Sequence, residues 1–446
     1  MASKYPHTPT ANSSGKQLLS FDNLLTFCFI LFTLSCNFSI SITQAVAYFG
    51  VAVWLIQAYR QNSERPFNLP LVWPLVIFIL AAGIATIAAV DVGLSFSGFK
   101  KLSKIIIFFW VANALASTHP WKVLSDLADR FRLNKLKEYF EINIKSVRNR
   151  NPTYALMGLL ILAGVFSSII GIFQALTHSE GFWYRYGVHG SLSNLMTYAQ
   201  ILMLISCMGL SMVIFNPPRS RVMIWIGLAF MGLAILLTLN RQSWLGLFLA
   251  ITFLLFNKKK AFSLMPVFFA ILVFLLGPQT LKDRIKTMTD LKDYSVNERF
   301  LMWQAGWDIL KDHPLTGCGF KCQFVIADQY PEHPILQKYT HMHNSPVQVA
   351  VDTGIIGLAA WISIWICFFM SLRRQLKNIP ESSSEYAIAL GSGAAVIAFL
   401  VAGMFENNFY DSEIIVLMYF IMALPFISPK ISQGSTSEPS LSRPSR

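Results

Sequence analysis

His343 is the residue of this sequence best suited to moving a proton during a reaction. It begins the stretch HNSPVQVAVDTGIIG, in which a polar segment gives way to a long apolar run. An imidazole titrates near neutral pH and can accept a proton from a hydroxyl group as that hydroxyl attacks. Asn344 follows at once, and Gly354 and Gly357 are spaced to lie on one helix face that a neighbour can approach closely. We therefore predict that His343 is a general base at the mouth of a membrane helix.

His341 lies two residues earlier and has the same chemistry. It could serve as a second base or bind an acceptor, while Asn344 would support the site. A metal ion held by His341 and His343 would need further ligands at a telling spacing, and the sequence offers none. We therefore predict no metal and no cofactor, and we expect the other histidines of the polar segments to be solvated.

Three arginines stand where apolar segments meet polar ones. Arg241 occupies a very short corner in LTLNRQSW, Arg185 lies in the aromatic stretch WYRYGVHG, and Arg299 opens an amphipathic segment. The planar guanidinium group matches phosphate oxygens and keeps its charge at every relevant pH. These arginines are therefore candidates for binding a diphosphate. The alternative is that arginines at helix ends simply reach lipid headgroups.

Further candidates occupy two other corners between apolar segments. Lys101 and Lys104, in GFKKLSK, could contact the same anion, although contact with lipid headgroups explains them equally well. Glu406, in the corner ENNFYDSE, could support the site or contact an acceptor, as could Asn407 and Asp411. We expect both corners on the same side of the membrane as His343.

The composition is that of a membrane protein. Of the 446 residues, 54% are hydrophobic and 13% are charged, and the mean hydropathy is +0.50. Continuous apolar runs recur along the whole chain, which predicts an all-α, polytopic fold. In such a protein the net charge of +13 bears on membrane sidedness, and it is no sign of a nucleic-acid partner.

About twelve transmembrane helices are predicted, which places both termini on one side. If that side is the cytoplasm, the inner segments hold 23 of the 36 Lys and Arg residues and the outer segments hold 13. This bias predicts that the HNSPVQ stretch faces outward. The chain is predicted to begin with a cytoplasmic tail (1–20) and nine helices (21–277). A long periplasmic loop with amphipathic helices (278–343) is predicted to follow, then three helices (344–428) and a disordered cytoplasmic tail (429–446).

The long loop contains the sequence NERFLMWQAGWDILKDHPLTG, which has a helical pattern. Its large apolar residues recur at spacings of three and four, at Phe300, Trp303, Trp307 and Leu310. Asn297 is the predicted N-cap, and Pro314 and Gly317 are expected to end the helix. The aromatic face could lie along the membrane surface or pack on the rest of the loop.

Two of the six cysteines fall in the long loop. Cys318 and Cys322 are four residues apart and could form a disulfide in an oxidising compartment. Alternatively, Cys318 simply fills space within a glycine turn. The other four lie in apolar segments and are expected to be packing residues.

The stretch from His343 to Gly357 resembles the signature histidine, amide and G-x-x-G pattern of the lipopolysaccharide O-antigen ligase family. The wider superfamily includes O-antigen polymerases and some protein O-oligosaccharyltransferases. The family also shows an arginine before an amphipathic helix, then a proline and paired glycines, as at Arg299, Pro314, Gly317 and Gly319. A second arginine, followed by a small residue and an aromatic one, is matched by Arg241, Ser243 and Trp244. The similarity covers roughly Arg185 to Gly357.

The resemblance implies a metal-independent, inverting glycosyltransferase in the bacterial inner membrane, with its active site facing the periplasm. His343 would act as the base, and the arginines would hold the diphosphate of the donor. The expected donor is an undecaprenyl-diphosphate-linked glycan, and the expected acceptor is a sugar hydroxyl of the lipid A core oligosaccharide. Such an enzyme would act in lipopolysaccharide biosynthesis for the cell envelope.

Three alternatives stay open at this point. An O-antigen polymerase would use a second lipid-linked glycan as acceptor, and a protein O-oligosaccharyltransferase would use Ser or Thr of a secreted protein. A transporter or flippase for lipid-linked glycans also suits a chain with this many apolar runs. Transporters, however, keep ionisable groups near the bilayer midplane and show related halves, whereas the candidate residues here cluster at helix ends.

Overall fold

The computed structural model describes residues 20–60, 67–145, 151–177, 187–217, 221–277, 279–286 and 293–427. Within these ranges the chain is all-helical and contains no β-strand. Two short helices, Gln323–Ile326 and Ile335–Lys338, lie in the long loop. The helices of eight or more residues are Phe21–Ser35, Ile40–Arg60, Val72–Ile87, Val92–Phe99, Ile106–Ala114, Pro120–Arg130, Asn134–Lys145, Pro152–Thr177, Leu195–Phe215, Arg221–Leu237, Arg241–Lys258, Met265–Leu276, Gln279–Lys286, Tyr294–Asp312, Ser345–Leu376, Ser384–Gly403 and Ser412–Ala423.

The chain is a multi-pass membrane protein. Among the described residues, five helices are long and apolar enough to cross a membrane, namely Ile40–Arg60, Pro152–Thr177, Leu195–Phe215, Ser345–Leu376 and Ser384–Gly403. A sixth span is added if Val92–Ser117 and Pro120–Arg130, which are bent by 69° at their junction, count as one. A helix lies in each of the twelve apolar runs of the sequence. The number of crossings and the periplasmic position of the long loop stay predictions.

Two central helices, Leu195–Phe215 and Ser384–Gly403, form the interior of the helix bundle. Lipid offers little hydrophobic driving force for helix association, so close contact of small residues and polar bonds between helices must hold them together. At Gly391 a Cβ atom would lie 3.0 Å from Sδ of Met208. The hydroxyl of Ser211 donates to the carbonyl of Ala387 at 2.6 Å. The buried centre thus gives the surrounding helices a fixed frame.

Three segments position the candidate site and keep these names below. The corner helix is Arg241–Lys258, which packs on Ser384–Gly403. The loop helix is Tyr294–Asp312, and it packs on the signature helix, Ser345–Leu376. The candidate residues therefore meet where these helices begin.

The signature helix is broken at Gly354, whose backbone has φ 65° and ψ −169°. The chain that follows the loop helix enters this break, where the N–H of Cys318 donates to the carbonyl of Val351 at 3.0 Å. A Cβ atom on Gly354 would lie 2.2 Å from the carbonyl oxygen of Leu315, so only glycine fits. The close approach expected at this glycine is confirmed. The expectation of a continuous helix with a neighbour on its face is wrong, because a loop fills the kink.

The loop helix begins one turn earlier than the sequence suggested. Asp293 is its N-cap and accepts a hydrogen bond from the N–H of Val296 at 3.2 Å, so the predicted cap at Asn297 is wrong. The buried face consists of Glu298, Met302, Ala305, Gly306 and Ile309. Phe300 and Trp307, from the predicted apolar stripe, are 44% and 62% exposed. The helix therefore packs on the loop with a different face and leaves the aromatic one open.

Candidate active site at the start of the signature helix

His343 is held immediately before the signature helix by its own backbone and by Asn344. Its φ of 45° is uncommon for a residue other than glycine. Asn344 is the N-cap, accepting from the N–H of Val347 at 2.9 Å and donating to the carbonyl of Met404 at 2.8 Å. The amide of the sequence pattern thus acts structurally: it ties the helix start to the corner at residues 404–411, and this fixes where the imidazole lies.

Glu406 is the direct partner of His343. Its Oε2 lies 3.1 Å from Nδ1 of the imidazole, and its side chain is almost fully buried. Burial alone would raise the pKa of Glu406, but the hydrogen bond and charge of His343, with smaller contributions from His341 and the N–H of Asn407, bring that pKa below its usual value. In the neutral imidazole, the ionised carboxylate would accept the Nδ1 proton, and Nε2 of His343 would carry a lone pair that can accept another.

His341 completes a compact group. Its ring centroid lies 4.1 Å from that of His343, and its Nδ1 accepts the backbone N–H of His343 at 3.3 Å. Its Nε2 lies 3.8 Å from Oε1 of Glu406. Burial lowers the pKa of His341 to about 4; the charge of Glu406 opposes this, and the charges of His343 and Lys101 add to it. His341 is therefore neutral near neutral pH.

The same three side chains could hold a metal ion. Ligand atoms of His341, His343 and Glu406 lie within 4.8 Å of one another. The sequence pattern offered no third ligand, because Glu406 follows His343 by 63 residues and only the fold brings it near. In the structure, Nδ1 of His343 and Oε2 of Glu406 are instead bonded directly to each other.

Arg241 and Arg299 meet at one side chain. The Oγ atom of Ser295 accepts from Nη2 of Arg241 at 3.3 Å and from Nη1 of Arg299 at 2.7 Å. Nη2 of Arg241 also pairs with Oδ1 of Asp293 at 3.2 Å. Two guanidinium groups from the corner helix and the loop helix thus form one positive patch, as an anion-binding site requires.

The patch is linked to the imidazole through the corner at residues 404–411. Nε of Arg299 donates to the carbonyl of Phe405 at 3.1 Å, and Glu406 is the next residue. Burial lowers the pKa of Arg299, and the nearby Glu406 carboxylate opposes that effect. The candidate base and two guanidinium groups are therefore neighbours, although they come from three separate parts of the sequence.

The two candidate lysines of the GFKKLSK corner differ in their surroundings. Nζ of Lys101 donates to the carbonyl of Tyr410 at 3.2 Å, and its charge contributes to the lowered pKa of His341. Lys104 is buried, with 6% of its surface exposed. The structure therefore joins Lys101 to the corner that contains Glu406, whereas Lys104 is buried.

Two other candidates have different positions. Arg185 lies outside the described residues. Asp411 accepts from the hydroxyl of Thr197 at 2.8 Å and caps the helix Ser412–Ala423, so its carboxylate is used structurally.

Sequence reasoning missed several residues around the site. Tyr339 sets its ring edge-on to that of His343, with centroids 5.4 Å apart, and its hydroxyl donates to Glu298. Lys338 also contacts Glu298. Burial raises the pKa of the Glu298 carboxyl, but the hydrogen bonds from Lys338, Tyr294 and Tyr339 bring that pKa below its usual value. In the sequence, the one local indication of this cluster was Glu298 itself, an acidic residue beside Arg299 on a predicted helix.

Cys318 and Cys322 form a disulfide, with their Cα atoms 5.7 Å apart. Both are buried under the loop helix, in a small core that also contains Met302 and Ile309. The pairing left open by the sequence is therefore present, and the bond closes the turn that enters the kink of the signature helix.

Comparisons with known proteins find two similarities, each over part of the chain. Residues 226–362 match a family model described as O-Antigen ligase. The exopolysaccharide production protein ExoQ of Rhizobium meliloti (strain 1021) is 28% identical over 116 residues, which is 24% of this chain and 27% of that protein. The chain thus matches only about a quarter of the length of that relative. The matched segment contains Arg241, Arg299 and His343, so the resemblance seen in the sequence is confirmed: residues 226–362 of this membrane protein match the O-antigen ligase family.

Proposed function

We propose that this protein is an O-antigen ligase that transfers a glycan from undecaprenyl diphosphate to a sugar hydroxyl of the lipid A core oligosaccharide. The observation that carries the proposal is the hydrogen bond between His343 and Glu406, placed beside two arginines that share Ser295. This arrangement supplies a base with a defined free nitrogen and a positive patch for a leaving group. Those are the two requirements of a transfer driven by a diphosphate-linked sugar.

In the proposed reaction, the acceptor hydroxyl gives its proton to Nε2 of His343 while its oxygen attacks the anomeric carbon of the donor sugar. The bond from that carbon to the diphosphate oxygen breaks, and the electron pair leaves with the diphosphate. Attack from the face opposite the leaving group inverts the anomeric centre. Glu406 stabilises the imidazolium that forms, because its carboxylate already accepts the Nδ1 proton.

The arginine patch would stabilise the negative charge of the departing diphosphate. Arg241 and Arg299 are only partly exposed, and a charged hydrogen bond is stronger in such surroundings than in water. Phosphate oxygens would replace the Asp293 carboxylate as the partner of Arg241. Lys101 and Lys104 are proposed to add positive potential, and Arg185 is proposed as a third arginine.

An apolar groove beside the site suits a lipid-linked donor. It measures about 540 Å³, lies between the signature helix and Ser384–Gly403, and is lined by Pro346, Trp361, Ile362, Trp365, Ile366, Phe369, Met370, Leu400 and Met404. Pro346 follows His343 by three residues, and the carbonyl of Met404 is bonded to Asn344. The isoprenoid chain of the donor would lie in this groove and leave the diphosphate near the arginines.

The proposed site faces the periplasm of the bacterial inner membrane. The bias of Lys and Arg toward the other side supports this orientation. The Cys318–Cys322 disulfide also supports it, because such bonds persist in oxidising compartments.

Reconstitution of the purified protein tests the proposal. Protein in lipid vesicles is given the lipid-linked glycan with core lipid, without ATP and with EDTA. The expected result is core lipid that carries the glycan, because no metal is needed. Loss of transfer on chelation, with recovery on adding a divalent ion, would assign the His341, His343 and Glu406 group to a metal and contradict the proposed base.

A second candidate function is polymerisation, in which another lipid-linked glycan is the acceptor. The similarity to an exopolysaccharide production protein favours it. Omitting core lipid from the same reaction separates the two, since lengthened lipid-linked chains would support the polymerase. Glycan on secreted protein would support the oligosaccharyltransferase, and movement of lipid without a new bond would support the flippase.

Replacing the base gives the residue-level test. His343→Ala is expected to abolish transfer while the protein still binds the lipid-linked donor. His313→Ala, which removes a histidine from the same loop without touching the group around Glu406, is the matched control and should stay active. Turnover retained by His343→Ala would exclude it as the base.

A further inference from the structure

The exposed face of the loop helix forms one wall of a cleft beside the candidate active site. The cleft measures about 410 Å³ and is lined by Phe300, Trp303, Gln304, Trp307, Asp308 and His333. The rings of Phe300 and Trp303 meet at 61° with centroids 5.3 Å apart. Since Trp307 is 62% exposed, the fold leaves a broad aromatic surface uncovered.

Polar groups stand among these rings. The carboxylate of Asp308 accepts from Nε2 of His333 at 2.7 Å and pairs with Nζ of Lys311 at 2.5 Å. The bonds from Lys311 and His333 lower the pKa of Asp308, so this group is ionised. Gln304 adds an exposed amide. The cleft therefore combines flat apolar surfaces with hydrogen-bonding groups of both kinds.

This combination differs from the lipid-facing surfaces of the same chain. On the helix Val72–Ile87, the strongly exposed residues after Trp73 are Ile77, Leu80, Ile84 and Ile87, all of them aliphatic. An ionised carboxylate is unfavourable among acyl chains. The aromatic cleft is thus better suited to a ligand with apolar faces and many hydroxyl groups than to a membrane surface.

The cleft lies near the candidate active site. The ring of Trp303 lies 6.4 Å from that of Phe405, whose carbonyl accepts from Arg299 and whose neighbour is Glu406. A sugar chain whose end lies at His343 could extend past Phe405 and over the exposed indole of Trp307.

We propose that this cleft is a saccharide-binding subsite, which holds sugar units of the glycan substrate beyond the reacting one. The proposal rests on the proposed function. The C–H face of a pyranose ring stacks on an indole and removes apolar area from water, while its hydroxyls bond to Asp308, Gln304 and His333. The glycan belongs either to the donor or to the acceptor, and the test separates the two.

Fluorine NMR of the protein labelled with 5-fluorotryptophan, in lipid nanodiscs, measures binding without turnover. The resonance that is missing from the spectrum of the Trp307→Phe variant is assigned to Trp307. The resonance of the exposed Trp73 is the internal control. Two probes are added separately: the oligosaccharide released by mild acid from the host's lipid-linked glycan, and the core oligosaccharide released from its lipopolysaccharide. One probe is expected to shift the Trp307 resonance and to leave that of Trp73 unchanged. The probe that causes the shift shows whether the bound glycan belongs to the donor or to the acceptor.

Kinetics provide the second measurement. Trp307→Ala is expected to raise KM for the substrate that carries the bound glycan by about tenfold with little change in kcat, as loss of one stacked ring predicts. Trp307→Phe should keep KM within about threefold, because an aromatic ring remains. Trp73→Ala removes another exposed indole elsewhere and should leave both constants unchanged.

Two results would overturn the subsite. One is that neither probe shifts Trp307 while Trp307→Ala keeps normal KM values for donor and acceptor. The other is that a lipid-borne spin label broadens Trp307 as strongly as Trp73, which would assign the cleft to the membrane surface. A shift without any glycan transfer would uphold the subsite and contradict the proposed enzyme, so the two proposals fail separately.

Discussion

Nδ1 of His343 lies 3.1 Å from Oε2 of Glu406, a residue 63 positions later in the chain. The two residues belong to different corners, and Ser345 holds those corners together by donating to the carbonyl of Glu406 at 3.1 Å. The carboxylate selects the tautomer of the imidazole whose Nε2 carries a lone pair. A buried acid therefore decides which nitrogen of His343 is available to a substrate.

Glu406→Gln is expected to lower kcat by at least about a hundredfold, by analogy with the loss of the orienting acid in a catalytic triad. The amide has nearly the same shape, but it can donate to Nδ1 and so stabilise the wrong tautomer. The substitution also removes the negative charge that stabilises the imidazolium. The KM for the lipid-linked donor should change little, because the arginines are untouched. Steady-state kinetics in vesicles measure both constants.

Glu413→Gln is the matched control for this acid, since Glu413 lies a few residues later and makes no contact with His343 among the bonds described. It should keep normal kcat. An equal decrease of kcat in both variants would contradict the orienting role of Glu406. A Glu406→Gln enzyme with a raised KM and a normal kcat would contradict it as well.

The shared contact at Ser295 predicts that the two arginines act together. Arg241→Ala and Arg299→Ala should each lower kcat/KM by about tenfold to a hundredfold, as loss of a charged hydrogen bond does. Because both guanidinium groups bind one hydroxyl and are expected to bind one diphosphate, the double variant should lose less than the product of the single losses. A double-mutant cycle on donor-dependent transfer measures the coupling.

Lys286→Ala is a suitable control for general positive charge in the same loop. Its ammonium group is well exposed and lies 3.9 Å from Asp283, so its removal should change kcat/KM by no more than about twofold. Arg241→Lys should recover only part of the activity, because an ammonium group lacks the planar fork. Fully multiplicative losses at Arg241 and Arg299 would show that they do not share a ligand.

His341 should make the folded protein sensitive to mild acid. Burial lowers its pKa from the ordinary 6.5 to about 4, so between these values the unfolded chain binds a proton that the folded chain does not. The stabilisation is complete above pH 6.5 and is lost as the pH falls towards 4. We expect His341→Gln to lose less thermal stability than the natural protein between pH 7 and pH 5, a window set by that shift. Parallel unfolding temperatures for the two forms would contradict this.

The sequence predicted the parts of the site that depend on local pattern. The apolar runs predicted the helices, and the short polar corner before Trp244 marked a break between two of them, although the second helix begins within that corner, at Arg241. Asn344 could be recognised beside a helix start, where its side chain is a favourable cap. These features need only neighbouring residues, so they can be read from the chain itself.

The remaining features depend on contacts between distant segments. Glu406 and Asp411 share one polar corner, and only tertiary packing decides that the first meets His343 and the second caps a helix. Asp293 and Asn297 are both good N-caps, and the ion pair with Arg241 accompanies the choice of Asp293. Apolar periodicity likewise cannot show a kink whose cause is a loop that lies elsewhere in the sequence.

That kink leads to the last prediction, which concerns Gly354. Its positive φ and the 2.2 Å distance from a Cβ atom to the carbonyl of Leu315 leave no space for a side chain. Gly354→Ala is therefore expected to destabilise the protein by about 1–3 kcal/mol, through backbone strain and displacement of the inserted loop. Because that loop contains Cys318 and follows the helix that carries Arg299, transfer should fall as well.

Gly158→Ala is the matched control, because no atom lies within 4 Å of the added Cβ and the residue is helical. It should be neutral or stabilising by up to about 1 kcal/mol. Unfolding temperature and transfer rate, measured side by side for both variants, distinguish a specific need for glycine from a general effect of alanine. If Gly354→Ala matched Gly158→Ala in both, the inserted loop would not fix the start of the signature helix, and the position of His343 would need another cause.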